Sequence, residues 1–460
     1  MFKGLMAGVS GIRGIIGVGM TPEVVLLWSG GFGSWVKGGK VLVGRDSRPT
    51  GKMLSYAVKS GLSAAGCDVE DLGIVTTPAA AYAVKQRGAA GGIIITASHN
   101  PQEWNALKFV RPDGRMLTAA DITELTRYVS EGPLRSASWN QLGVLREWDG
   151  APSMHINSIL GLGNLNLETI SGKKYKVAID CVNGAGSNVY PMLLEALGCE
   201  VVRLHCDGSG IFARPPEPLA ENLTELSQLV KSENCSLGFA VDPDGDRLAV
   251  IDEIGQPIGE ELTLALAVMG VLSDTPGPVV VNSLTSNVID DVTKLYNSEC
   301  MRTRVGEANV SAKMSEANAV IGGEGNGGII YPAMQLVRDS GAGIAIILNF
   351  LSSRKHKVSQ LIANLPKYYM VKTSMQLGDI DSSYIMDNIS KQFEHDLITR
   401  IDGVRLNSED GWVQVRPSNT EPILRIFAES KSPEKANQLA SDMIAKLKEI
   451  VKSKNEIDGY

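Results

Sequence analysis

The sequence is poor in aromatic residues, 5% of 460 positions, and has no long apolar run. No segment approaches ~18 uninterrupted apolar residues, so no ordinary membrane-spanning helix is expected. The first residues, MFKGLMAGVSGIRG, are glycine-rich and lack the apolar core of a secretory signal. Basic excess is missing too. The formal net charge is -7 and the pI near 5.5, which argues against nucleic acid as a main partner. The six cysteines, Cys67, Cys181, Cys199, Cys206, Cys235 and Cys300, form no C-x-x-C pair. Most sit in apolar runs, the pattern of buried free thiols in a reducing compartment rather than of disulfides or zinc ligands. A cytoplasmic protein with no membrane or nucleic-acid partner is expected. The composition leaves monomer and homodimer both open.

What is present is alternation. Hydrophobic residues make up 43% and charged residues 21%, an ordinary globular composition. At ~150 residues per domain the length suggests about three domains. KVLVGRD (40–46) reads as a strand and MLSYAVKSGLSAAG (53–66) as a helix closed by Gly66. GGIIIT (91–96) is a further strand. KVAIDCVNGAGS (176–187) reads as a strand, a glycine turn and a helix running to Leu197. LGFAVDPDGDRLAVID (237–252) reads as two strands around a charged loop, and PVVVNS (278–283) with SNVIDDVTKLY (286–296) repeats strand-then-helix. Such alternation predicts several α/β units. The last ~90 residues differ: WVQVRPSNTEPILRIFAES (412–430) reads as two strands around a polar loop, and the segment from Pro433 to Val451 as an amphipathic helix. That is an α+β module. Boundaries fall near 150, 255 and 370, giving units 1–150, 151–255, 256–370 and 371–460, with 130–155 reading as a linker. No strong sequence repeat stands out.

Four polar loops interrupt this apolar context near strand ends, where open α/β sheets bind ligands. The first is Thr96-Ala97-Ser98-His99-Asn100-Pro101, with Lys108 soon after. Ser, Asn and Pro are ordinary turn residues. The Ser-His pair suggests a nucleophile, yet adjacent side chains in a turning segment diverge, leaving His99 poorly placed as a base for Ser98.

The second loop is Asp242-Pro243-Asp244-Gly245-Asp246-Arg247. Three carboxylates at alternate positions repel one another unless a cation offsets them. The spacing matches part of an EF-hand, and Glu253 falls at the twelfth position. Arg247 stands where that loop needs glycine, however, and the flanks read as strands. Mg²⁺ is the natural cation, because it completes its shell with water and a phosphate oxygen. The third loop, 322–328, is GGEGNGG. It lacks the Lys and Ser/Thr of a P-loop and presents only Glu324 and Asn326, which suits reading sugar hydroxyls. The fourth runs Arg416-Pro417-Ser418-Asn419-Thr420-Glu421-Pro422, with Arg425 on the next strand. Two arginines bracketing short polar donors suit a phosphate. Arg13 and the turn Gly44-Arg45-Asp46-Ser47-Arg48 read equally as structural ion pairs, and Arg13 also as a cleft residue.

Together these features fit one reaction class. If Ser98 carries a phosphate, its oxygen joins the metal shell of Asp242, Asp244 and Asp246, and the metal neutralises charge as the phosphoryl group moves. Ser98 then needs no activation by His99. His99 and Lys108 remain nearby to move a proton or balance charge.

The sequence resembles the α-D-phosphohexomutase superfamily. It carries TASHNP, DPDGDR, GEGNGG and RPSNTEP in order, spread over almost the whole chain. The resemblance implies an α/β fold of four domains around a central cleft, three similar domains with mixed sheets and a C-terminal α+β domain. It implies a phosphoserine at Ser98, one Mg²⁺ on the Asp triplet, and a hexose 1,6-bisphosphate as primer and intermediate. Sugar contacts would come from Glu324 and Asn326. Phosphate contacts would come from Arg416, Ser418, Asn419, Thr420 and Arg425. Arg13, Lys108 and Arg247 match the family's basic cleft residues. Where the commoner pattern has Ser and His in the sugar loop, this chain has Asn326 and Gly328. The GEGNGG form, with SGIRG, is similar to archaeal phosphoglucosamine mutases, which implies glucosamine 6-phosphate and glucosamine 1-phosphate as substrates. A phosphoglucomutase/phosphomannomutase is the close alternative, since no residue obviously reads carbon 2. A Mg²⁺-dependent sugar phosphatase has no need of a remote phosphate pocket. A silent sugar-phosphate sensor fits poorly with an intact set of reactive residues.

Overall fold

The strands Gly91–Ile95, Leu237–Val241 and Ile321–Glu324 are buried along their whole length, as parallel strands covered on both faces must be. The computed structural model, which describes residues 4–132, 134–377, 381–392, 397–418 and 423–458, uses these three strands in one repeated way. Each runs parallel to an inner neighbour. Each then turns back into an antiparallel strand, Trp104–Val110, Leu248–Ile251 or Gly328–Ile330. A single bridge closes the next turn: Val110 with Met116, Ile251 with Pro257, Ile330 with Arg338. A helix follows each time, Ala119–Glu131, Glu260–Leu272 and Ser340–Ser352. The repeat that sequence comparison within the chain did not reveal is therefore one of topology. Burial and hairpin connection recur, while the loop residues differ because each loop does different chemistry.

The first sheet has seven strands and the next two have four each, all mixed. The stretch 130–155 is more than a linker. It contains the strand Leu145–Glu147, which adds a parallel edge beside Cys67–Ile74, and the start of helix Ala151–Leu160. Those strand residues are all exposed, so they carry no apolar alternation to betray them. The second and third sheets share one continuous apolar core reaching from Ile156 to Leu365. The first sheet has a separate cluster on each face.

The C-terminal unit is a five-stranded antiparallel sheet in the order Tyr369–Gln376, Ile423–Ser430, Gly411–Pro417, Val404–Ser408, Leu397–Thr399. The helix Pro433–Asp458 packs on it and extends past the predicted end at Val451. The fourth polar loop joins two adjacent antiparallel strands, as the other three do. The architecture is the predicted one: three α/β units with mixed sheets and an α+β unit.

Candidate active site

A cleft of about 440 Å³ is lined by all four units. Into it the structure brings Arg13, Ser98, His99, Lys108, Arg247, Glu324, Asn326 and Arg425. Asp242, Asp244 and Asp246 lie beneath Ser98, each with no exposure. Each offers an oxygen within 4.8 Å of the other two.

The aspartate loop and the serine loop each reach this geometry through one special backbone position. Gly245 has φ +71°, and a Cβ there would sit 2.3 Å from the Tyr190 hydroxyl. That hydroxyl instead donates to the Gly245 carbonyl at 2.6 Å. Ser98 itself is left-handed, φ +49°, a conformation that costs about 1–3 kcal/mol in a non-glycine residue unless its surroundings enforce it.

Arg48 enforces it. The side chain is fully buried and uses all five of its N–H groups. Nη2 donates to the carbonyls of Ser98 and Asn100, both at 2.7 Å. Nη1 donates to those of Pro101 and Trp104, at 2.6 and 3.1 Å. Nε donates to Asp46 at 3.1 Å, and the Thr96 hydroxyl donates to the same Asp46 oxygen at 2.7 Å. Phe212, from the second unit, covers the guanidinium at 4.8 Å. The GRDSR turn is thus a structural ion pair, one whose purpose is to hold the serine loop.

So held, the Ser98 hydroxyl donates to Asp242 Oδ2 at 2.6 Å. His99 Nδ1 stays 3.4 Å from the Ser98 oxygen. The two side chains diverge less than expected, because the left-handed serine turns the chain back on itself, yet the hydroxyl proton goes to the carboxylate. Burial, then the charges of Asp244 and Asp246, push the Asp242 carboxyl well above its usual range. Burial disfavours the charge on Asp246 as well, but Arg338, Lys108 and Arg247 outweigh it and hold that carboxyl low. Lys108 donates to Asp244 and Asp246 at 2.6 and 2.9 Å. These carboxylates raise its pKa against the opposing effect of burial. Thr77 donates to Asp244 at 2.5 Å.

One oxygen on each of two carboxylates, Asp244 Oδ1 and Asp246 Oδ1, is buried with no hydrogen-bond partner. Such atoms are costly unless a ligand takes them. Three convergent carboxylates with two uncommitted oxygens are the donor set a hard divalent cation requires. The EF-hand alternative fails in space, because Glu253 bonds to Ser359 in the third unit.

Three guanidiniums converge at the mouth. Burial, then the positive charges of Arg425 and Arg247, lower the pKa of Arg13. Arg247 pairs with Glu217 and approaches His99 Nε2 at 3.4 Å. Burial, then Arg247, drives His99 well below its ordinary value. On the sugar loop, Glu324 accepts from Asn282 at 2.9 Å, from the Gly306 amide at 3.0 Å and from Arg338 at 3.2 Å. Asn326 accepts from the Gly328 amide at 3.2 Å. Arg416 points elsewhere, its Nε 3.3 Å from Asp402. Ser418 pairs its amide with the Ile423 carbonyl at 3.0 Å. Asn419 and Thr420 lie outside the described residues.

Sequence reasoning missed Arg338, Lys372, Glu217, Glu261 and Glu307, all of which line the cleft. Arg338 has the widest reach, binding Asp246 at 2.8 Å as well as Glu307 and Glu324. Its one signal was a basic residue set between the apolar runs IIYPAMQLV and GAGIAIIL.

Family comparison agrees with this geometry. The models for phosphoglucomutase/phosphomannomutase alpha/beta/alpha domains I, II and III match residues 4–135, 153–255 and 260–369, and the C-terminal domain model matches 353–446. The chain belongs to the phosphoglucomutase/phosphomannomutase family, within the α-D-phosphohexomutase superfamily, and is an isomerase. Among relatives, a phosphoglucomutase/phosphomannomutase of Thermococcus kodakarensis is 39% identical over 98% of this chain and 100% of its own. A probable phosphoglucosamine mutase of Methanopyrus kandleri is 36% identical over 95% and 96%. The crystal structure of a phosphoglucomutase/phosphomannomutase family protein from Burkholderia thailandensis superposes with a TM-score of 0.84 at 28% identity, covering 97% of this chain and 98% of that one.

Two outcomes follow. Lysine at position 48 has three donors rather than five, so Arg48→Lys strands buried carbonyls and lets Ser98 drift. We expect kcat to fall about a hundredfold with little change in KM. Equal loss in both, or none, contradicts a positioning role. The second concerns Glu261, whose carboxyl is pushed up to about 8, chiefly by burial. The folded chain keeps this proton to about pH 8, whereas the unfolded chain loses it near 4.5. Folding therefore binds an extra proton between those values, and stability falls as pH rises through that window. Glu261→Gln cannot ionise, so the Tm of the variant relative to the parent should climb from pH 5 to pH 8.5. A constant difference contradicts this.

Proposed function

We propose that the protein is a phosphohexomutase that interconverts glucosamine 6-phosphate and glucosamine 1-phosphate through a phosphorylated Ser98 and a 1,6-bisphosphate. The observation that carries the phosphotransfer reading is the 2.6 Å bond from Ser98 Oγ to Asp242 within the buried triplet. A catalytic serine needs no such neighbour for acyl chemistry, where a carboxylate triplet would only oppose the developing oxyanion. It does need one if it carries a phosphate beside a cation.

Asp242, Asp244 and Asp246 would hold Mg²⁺, which supplies neutralisation of the phosphoryl oxygens when bound. The chain's own groups do the rest. The phosphoryl group leaves Ser98 Oγ as a new P–O bond forms to the free hydroxyl of a hexose monophosphate. The hydroxyl loses its proton and the departing Ser98 Oγ gains one, and His99 Nδ1, 3.4 Å from Ser98 Oγ, is the ring nitrogen placed to pass the proton to it. Lys108 balances charge on Asp244 and Asp246. Glu324 and Asn326 orient the ring. Arg13, Arg247 and Arg425 hold the distal phosphate by charge-assisted bonds, with Ser418, Asn419 and Thr420 completing that pocket, and Arg416 would have to leave Asp402 to join it. The bisphosphate then turns over, and its other phosphate returns to Ser98. A site walled by all four units limits attack by water during the turn.

The sugar assignment rests on the GEGNGG loop and on the Methanopyrus relative's name. The Thermococcus relative, more identical and named phosphoglucomutase/phosphomannomutase, favours the second reading, in which glucose or mannose phosphates are preferred. A mutase assay with Mg²⁺ and a bisphosphate primer decides both points. Glucosamine 6-phosphate should give the highest kcat/KM against glucose 1-phosphate and mannose 1-phosphate, and Ser98→Ala should lose nearly all turnover on each. Preference for glucose or mannose would overturn the sugar. Near-normal activity of Ser98→Ala would overturn the phosphoserine.

A further inference from the structure

Four carboxylates line the cleft among the described residues: Glu217, Glu261, Glu307 and Glu324. Glu217 is paired with Arg247, and Glu307 and Glu324 with Arg338. Glu261 has no arginine. Its Oε2 accepts the Ser286 amide at 3.0 Å, and its Oε1 makes no hydrogen bond among the described residues.

Glu261 is the second residue of the helix Glu260–Leu272, and its carboxyl lies against the sugar loop. A Cβ on Gly325 would sit 2.0 Å from Oε1, so residue 325 must be glycine for the carboxylate to occupy this place. One hydrogen-bonded chain fixes the register of the two. Glu324 accepts from Asn282 at 2.9 Å, Asn282 accepts from the Thr285 hydroxyl at 3.1 Å, and that hydroxyl accepts from the Gly325 amide at 3.1 Å. The next residue, Ser286, holds Glu261. Arg302 locks the segment by donating to the carbonyls of Thr285 and Ser286 at 2.6 and 3.3 Å. Glu261 is therefore anchored through Oε2 to the segment that sets the sugar loop's register, and sits beside Gly325, the residue between the two that read ring hydroxyls.

We infer that Glu261 is the specificity-determining residue for carbon 2 of the sugar, accepting a hydrogen bond from the 2-ammonium group of glucosamine phosphate. This rests on the mutase reading above. If Glu324 and Asn326 take neighbouring hydroxyls, the carboxylate flanking Gly325 faces the adjoining ring position. A carboxylate separates an amine from a hydroxyl because its bond to the ammonium is charge-assisted. The local field suits a cation. Burial acts first on Glu261, and Glu429 and Glu260 add negative potential, with Lys372 from the C-terminal unit the opposing charge. A carboxyl kept reluctant to ionise in the empty cleft gains most when a cation arrives.

The test compares the parent protein and Glu261→Gln on glucosamine 6-phosphate, glucose 6-phosphate and 2-deoxyglucose 6-phosphate, the last lacking any group at carbon 2. The ratio of kcat/KM for glucosamine over 2-deoxyglucose phosphate should fall at least about tenfold in the variant. The ratio for glucose over 2-deoxyglucose phosphate should change much less. If all three substrates lose activity by one factor, Glu261 merely shapes the loop and the inference is overturned. A parent that prefers glucosamine phosphate, with a variant that keeps the same ratios, overturns the inference alone. A parent that does not turn over glucosamine phosphate overturns the sugar reading and the inference together.

Discussion

Three carboxylates buried within 4.8 Å of one another are the constraint on which the rest of this structure depends. Mutual repulsion in a desolvated site is severe, and the fold surrounds it with cations drawn from separate units. Lys108 comes from the first, Arg247 from the second and Arg338 from the third. The contacts of Lys108 and Arg338 engage one oxygen of Asp244 and of Asp246 and leave the other of each uncommitted, while Arg247 pairs with Glu217 and acts on the triplet through its charge. The protein thus offsets most of the repulsion itself and leaves the remainder for a bound cation.

The same need explains why one topology appears three times. A hairpin at the carboxyl end of a parallel strand projects its loop over the edge of the sheet, and three such hairpins facing inward surround one volume. The serine loop, the aspartate loop and the sugar loop are equivalent positions of this repeat. Rigid strands fix each loop's base, and buried side chains fix its tip. Arg48 does this for Ser98, Tyr190 for Gly245 and the Asn282–Thr285 pair for Gly325. Precision in the cleft therefore depends on Arg48, Tyr190 and Thr285, which lie behind its wall, as well as on Asn282, which lines it.

That division also decides what could be read from the sequence. Ser98, the Asp triplet, Glu324 and Asn326 were legible because each lies in a short polar break between apolar strands, where polarity has no structural reason to be. The turn holding Arg48 was legible as a structural ion pair, but its grip on the serine loop was not, and Arg338 was not legible at all, because a fully engaged buried arginine has the same letter as a solvated one. Glu261 was hidden for a different reason. An acidic residue in the first turn of a helix is ordinary, and only its contact with Gly325 across the fold gives it meaning. The edge strand Leu145–Glu147 escaped because an exposed strand has no apolar period, and the threefold repeat because it lies in connections rather than in letters.

The central claim is that the triplet is a cation site and not a set of carboxylates compensated by the protein alone. Calorimetric titration of Mg²⁺ into the parent protein and into Asp242→Asn tests it most directly. The account predicts one Mg²⁺ bound per chain in the parent and binding lost or greatly weakened in the variant. Absence of Mg²⁺ binding to the parent, or equal binding to both, would contradict it.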